Sequence, residues 1–123
     1  MRAAVEEMAV ELEVGDIHTR GEEWGGLSVR HCDLPAGADL RPLLAGLPGD
    51  HCACPHWGHV LSGSITIRYA DGTEEVSRAG DTFYWPGGHT GWTETGVVFV
   101  ELSPADEIRP VLAHLGAQLA PAS

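Results

Sequence analysis

Positive charge is scarce in this chain: 7 Lys and Arg stand against 18 Asp and Glu, a formal charge of −11 with histidine neutral. A surface of that sign repels phosphate backbones and anionic lipid, so neither nucleic-acid binding nor membrane adhesion is expected. Long apolar runs are missing too, and no stretch approaches the roughly 20 residues that a spanning helix needs. Nor does the N-terminus read as a secretion signal, because Glu6, Glu7, Glu11 and Glu13 interrupt residues 1–14. The expected compartment is the cytoplasm. Cysteine is limited to three residues, which are reduced there, so metal binding or plain burial is expected in place of a disulfide framework. Internal repeats and low-complexity segments are absent, and 123 residues suffice for one domain with its own core.

What the chain has in quantity is turn chemistry. Its 16 glycines and 8 prolines are spread along the sequence, favouring short strands joined by tight turns. Residues 1–10 read as a frayed helix or tail, with a first short strand over 9–14. Arg20-Gly21-Glu22-Glu23 reads as a charged turn, and Trp24-Gly25-Gly26 leads into a strand over 27–33. Leu34-Pro35-Ala36-Gly37 turns the chain, and Asp39 is placed to cap a short helix over 40–45 that Gly46 and Pro48 close. Ser62-Gly63-Ser64 reads as a turn into Ile65-Thr66-Ile67-Arg68-Tyr69, where Ile65, Ile67 and Tyr69 share one face. Asp71-Gly72, Ala79-Gly80-Asp81 and Thr95-Gly96 separate strands over 74–77, 82–85, 90–94 and 97–102. That regular spacing predicts a closed or sandwiched all-β domain. Ser103 as cap, Pro104 at the first helical position and Asp106 in the first turn then open a helix that Pro110 kinks or divides. Its stripe of Ile108, Val111, Leu112, Leu115 and Leu119 packs on the sheet or forms a dimer contact.

The chemistry is concentrated in residues 51–63, His-Cys-Ala-Cys-Pro-His-Trp-Gly-His-Val-Leu-Ser-Gly. On an extended segment Cys52, Cys54 and His56 share one face, with His51 and His59 on the other. Thiolate and imidazole are donors for zinc, iron, copper and nickel, so this face supplies part of a coordination shell. A second ligand-bearing segment is needed, and His89 in Trp-Pro-Gly-Gly-His-Thr-Gly-Trp is the candidate. The candidate metal ligands are therefore Cys52, Cys54, His56 and His89, with His51 in reserve. Each has a plainer role open to it: burial for the thiols, a solvated loop for His89. Trp85, Trp92, Tyr69 and Glu101 are candidate pocket residues. Glu101 shares a face with Val97 and Phe99, and serves as an ion ligand, a hydrogen-bonding partner or a base if that face is interior. If the face is exterior Glu101 is merely solvated, which is the default. His18, His31 and His114 fall outside any constellation.

From residue 50 to residue 104 the sequence resembles the small single-domain cupins. The residues that carry the resemblance are Val60-Leu61-Ser62-Gly63, the strand-turn-strand through Asp71-Gly72, and Gly80-Asp81-Thr82-Phe83-Tyr84-Trp85-Pro86-Gly87-Gly88-His89. Gly80, Pro86 and Gly88 fit the spacing of the second cupin motif. The resemblance implies a cupin-type double-stranded β-helix, or jelly-roll barrel, over 21–103, an N-terminal tail or first strand over 1–20, and a helix packed on the barrel over 104–123. The family's three-histidine, one-glutamate site is not reproduced. Here the glutamate slot of the first motif holds His56, its histidine slots fall on Asp50 and Cys52 or on Gly49 and His51, and the histidine slot of the second motif holds Gly91. The expected cofactor is a divalent metal ion, zinc first, with iron, manganese, nickel or copper as alternatives. The expected function is a metal-binding cupin acting on a small organic molecule in dioxygenase- or isomerase-like chemistry. The alternatives are a non-catalytic small-molecule or metal-sensing module and a purely structural homodimer.

Overall fold

The computed structural model describes residues 1–119 of the chain. It has eight strands, β1 (Ala9–Val14), β2 (Ile17–Trp24), β3 (Leu27–Leu34), β4 (His56–Tyr69), β5 (Glu74–Arg78), β6 (Thr82–Trp85), β7 (His89–Trp92) and β8 (Val97–Pro104), and two helices, α1 (Arg41–Leu44) and α2 (Ala105–Leu119). All strand pairs are antiparallel. The larger layer runs β1-β2-β3-β8-β4-β6, and the smaller one runs β5-β4-β7. This is the all-β jelly-roll arrangement with a C-terminal helix that the sequence suggests. Among the described residues no helix is long and apolar enough to cross a membrane.

Strand β4 belongs to both layers. Its first half pairs with β8 and β6, and from Ser64 onward it pairs with β5 and β7. The turn expected at Ser62-Gly63-Ser64 is instead a corner within one 14-residue strand. Gly63 makes the corner at φ +72°, where a Cβ would lie 1.9 Å from the carbonyl oxygen of Gly96. Only glycine combines that dihedral with that approach.

The charged turn expected at Arg20-Gly21-Glu22-Glu23 is also strand, paired throughout with β3. Alternation reconciles the charge with the pairing: Gly21 is buried between the partly exposed Arg20 and Glu22, so two of the charges stand on the outer face. At the other end of the chain, Ser103 and Pro104 do not open the helix. They extend β8 opposite Ser28 and Leu27, and α2 begins at Ala105 and continues through Pro110 as one helix. A serine followed by proline and aspartate satisfies a helix start and a strand end equally, and cross-strand pairing decides between them.

The layers enclose Cys32, Leu34, Val60, Ile65, Ile67, Phe83, Trp85, Val97 and Phe99. A second apolar cluster, Leu44, Cys52, Cys54, Ile108 and Val111, seats both helices against the open end of the barrel. The apolar stripe of α2 is thus turned inward: Ile108 and Val111 are 2% and 7% exposed. Burying side chains of that size stabilises by about 1.5–3 kcal/mol each.

Candidate metal centre

His56 is the first residue of β4 and pairs with Trp85 of β6. Alternation points it inward, with Val60 on the same side, while Trp57 faces out and stacks on Tyr84. His89 opens β7, not the solvated loop that its glycine neighbours suggest. Cys52 precedes β4 and is held to His89 by backbone: Cys52 N–H donates to His89 O at 2.8 Å, and Gly88 N–H donates to Cys52 O at 2.8 Å. Two segments, residues 52–56 and β7, thereby bring three donors to one place. The donor atoms of Cys52, His56 and His89 lie within 4.8 Å of one another, and all three residues are buried.

Hydrogen bonds orient both rings. His89 Nδ1 lies 2.8 Å from Pro86 O, and a carbonyl only accepts, so Nδ1 carries the proton and Nε2 keeps the lone pair. His56 Nδ1 lies 2.6 Å from Ser103 Oγ, leaving its Nε2 on the side of the Cys52 thiol, 3.5 Å from Sγ. Burial, followed by the neighbouring His56, pushes the pKa of His89 down to about 4. Burial likewise lowers that of His56. Both imidazoles are therefore neutral near pH 7, the form that ligates metal. The Cys52 thiol is pushed up to about 11 by burial, so its sulfur stays protonated unless a cation displaces the proton.

Of the expected ligands, Cys54 and His51 stand apart. Residues 52–55 are not in an extended strand, so period-two alternation does not carry Cys54 to the face of Cys52 and His56. Its sulfur points to Pro55 O at 3.4 Å, it belongs to the apolar cluster under the helices, and burial pushes its pKa to about 12. His51 is half-buried, and its Nδ1 is bonded to the carbonyl of Gly49.

Beside the three donors lies a chamber of about 80 Å³. Its walls are largely apolar, with Leu12, Ile17, Leu34, Ile67 and Phe99 from the barrel and Val111 from α2. Trp85 and Glu101 line it. Trp92 and Tyr69 do not. Trp92 lies between two guanidinium groups, Arg41 and Arg68, whose central carbons are 4.3 and 4.7 Å from its ring centre. The Tyr69 hydroxyl donates to Glu75, which is exposed.

Glu101 is 3% exposed, against the default of a solvated carboxylate. It is paired with Arg30, and its Oε2 lies 3.9 Å from His56 Nδ1. Arg30 also donates from Nε to Glu11 Oε1 at 2.8 Å. Gly21 makes room for the Glu11 carboxylate, which a Cβ there would meet at 2.9 Å. Arg30, Glu11 and Ser103 are not among the site residues that the sequence suggests. For two of them a signal existed: Arg30 alternates with Ser28, Cys32 and Leu34, and Ser103 alternates with Glu101, so strand parity points both inward.

No known protein family matches the chain by sequence, and no curated protein matches it. Likeness is found among solved structures. An RmlC-like cupin from Shewanella frigidimarina superposes with a TM-score of 0.59 at 19% identity, over 84% of this chain and 89% of that one. A protein of unknown function from Rhizobium leguminosarum superposes with a TM-score of 0.62 at 16% identity, over 84% and 94%. Oxalate decarboxylase of Bacillus subtilis, which has Mn(II) centres, superposes with a TM-score of 0.58 at 20% identity, over 83% of this chain and 28% of that protein.

Proposed function

We propose, from the premise that this chain has the fold of a small cupin, that it holds one divalent transition-metal ion through Cys52, His56 and His89 and acts on a small organic molecule in the adjoining chamber. One observation carries this reading: three donors from two segments distant in the chain converge within 4.8 Å, on the wall of an apolar cavity. The donor chemistry fits. Two neutral imidazoles and a thiol suit zinc, and also iron, nickel and copper, whereas manganese favours oxygen ligands. Both rings carry the outer hydrogen bond that fixes a metal-ligating histidine, to Pro86 O and to Ser103 Oγ.

When bound, such an ion supplies Lewis acidity to an oxygen-bearing substrate or to water. The chain's own contribution is placement and exclusion. Pro86 and Ser103 orient the rings, and the buried Arg30–Glu101 ion pair lies beside His56. The apolar walls limit competing water. With Cys52, His56 and His89 as its protein donors, a four-coordinate ion would keep one position for water or substrate, which favours catalysis over a closed structural or sensing site.

Metal content per chain, measured on protein purified without added metal, tests the site. About one divalent ion per chain is expected, with about a tenfold or greater loss of affinity in His56→Ala and in His89→Ala. A metal-free native protein, or unchanged content in both variants, sinks the assignment. X-ray absorption on the loaded protein then separates the two readings. Two nitrogens, one sulfur and a light-atom ligand support an enzyme, while a second sulfur from Cys54 supports a closed sensing site.

A further inference from the structure

Two buried side-chain oxygens have no hydrogen-bond partner among the described residues, Thr19 Oγ1 and Thr90 Oγ1, and both residues border the chamber. Thr19 is 4% exposed and lies on the inward face of β2 between Ile17 and Gly21. Leaving a hydroxyl buried and unpaired costs about 1–3 kcal/mol, so native proteins seldom retain one without a use. A valine of the same shape would avoid that cost. Strand register sets Thr19 apart from the metal donors. It lies opposite Cys32, then Phe99, then Val60, whereas His56 is four residues before Val60 on β4. Four residues of strand span about 13 Å, so the hydroxyl and the donors address different parts of an occupant.

We infer that the chamber receives a small uncharged organic molecule with an apolar body and a hydroxyl or carbonyl oxygen, and that Thr19 is the residue that selects that oxygen. The wall chemistry sets the class. The apolar lining takes a hydrocarbon or aromatic body, and a threonine hydroxyl both donates and accepts, matching an alcohol, phenol or ketone. Charge on the guest is disfavoured. Arg30 is already engaged by Glu11 and Glu101, so an anion finds no free cation on the wall. An organic cation finds Glu101 engaged by Arg30 and would shed its water for an apolar surround. The volume, about 80 Å³, is several times the ~10–15 Å³ that a cavity needs to admit one water.

This inference rests on the chamber of the proposed function but not on its ion, and the test keeps the two separate. Phenol, toluene and benzoate are titrated by calorimetry into the full chain stripped of metal, so that no ion competes for the oxygen of the guest. Phenol is expected to bind about tenfold more tightly than toluene, with benzoate weakest. Thr19→Val is expected to erase the preference for phenol over toluene while leaving toluene affinity and metal content unchanged. The same variant, without ligand, is expected to melt about 2–5 °C higher, because the unpaired hydroxyl is gone. Equal binding of phenol and toluene, no binding of either, tighter binding of benzoate, or a phenol preference that survives in Thr19→Val overturns the inference. Failure of the metal reading would appear instead as absent metal with the Thr19 effect intact.

Discussion

A guanidinium 5% exposed stands between two carboxylates, Glu11 on β1 and Glu101 on β8. Arg30→Met would leave Glu101 buried without its partner, a change that costs about 3–5 kcal/mol when one member of a buried pair is removed. Urea unfolding at pH 7 is expected to show that loss, with partial recovery in the double variant Arg30→Met, Glu101→Gln. A loss well under 1 kcal/mol would mean that water reaches the carboxylates. The same scale shows what the letters disclose. His56 could be placed inside the barrel because alternation along its strand is a local rule. Cys54 could not be separated from Cys52, because the rule assumes an extended backbone and residues 52–55 are irregular. Arg30 reads as an exposed charge until strand parity is followed residue by residue.

At the scale of elements, β4 is the member that both layers share, and its corner depends on Gly63. Gly63→Ala combines a left-handed φ with a 1.9 Å collision against the Gly96 carbonyl. Gly72 also has a positive φ, +88°, yet a Cβ there meets nothing within 4 Å. Gly72→Ala is therefore expected to cost about 1–2 kcal/mol, the price of the dihedral, and Gly63→Ala distinctly more. Chemical denaturation of the two variants compares them directly, and equal losses would show that the corner relaxes freely. The hairpin turns at Asp71-Gly72, Ala79-Gly80-Asp81 and Thr95-Gly96 were legible, where glycine and alternation agree. The corner was not, because glycine between two serines spells a turn in the same letters. What keeps the strand intact is its pairing to β8 and β5 on either side of the corner, a non-local fact.

For the whole molecule, buried neutral imidazole sets the response to acid. The pKa of His89 falls from its ordinary 6.5 to about 4 in the folded chain. Above 6.5 neither the folded nor the unfolded chain is protonated at this ring, and stability does not depend on pH through it. Between 6.5 and about 4 the unfolded chain takes the proton and the folded one does not, so stability falls as pH falls. One pKa unit is worth about 1.4 kcal/mol, so the loss across this window is about 3 kcal/mol. His56 is shifted in the same direction and adds to it. Urea midpoints of the metal-free protein at pH 7.5, 5.5 and 4.5 are expected to decline in that order, with a shallower slope in His89→Gln; a flat profile would place these rings in contact with solvent. The jelly roll itself was legible at this scale, since turn spacing counts strands without knowing their partners. Which segment lies beside which was not, and the site depends on that: Cys52 meets His89 only because residues 37 positions apart in the chain share one bridge.

That bridge mounts sulfur and imidazole on a single clasp. Whatever lifts one from the cavity wall lifts the other with it, through the amides of Cys52 and Gly88.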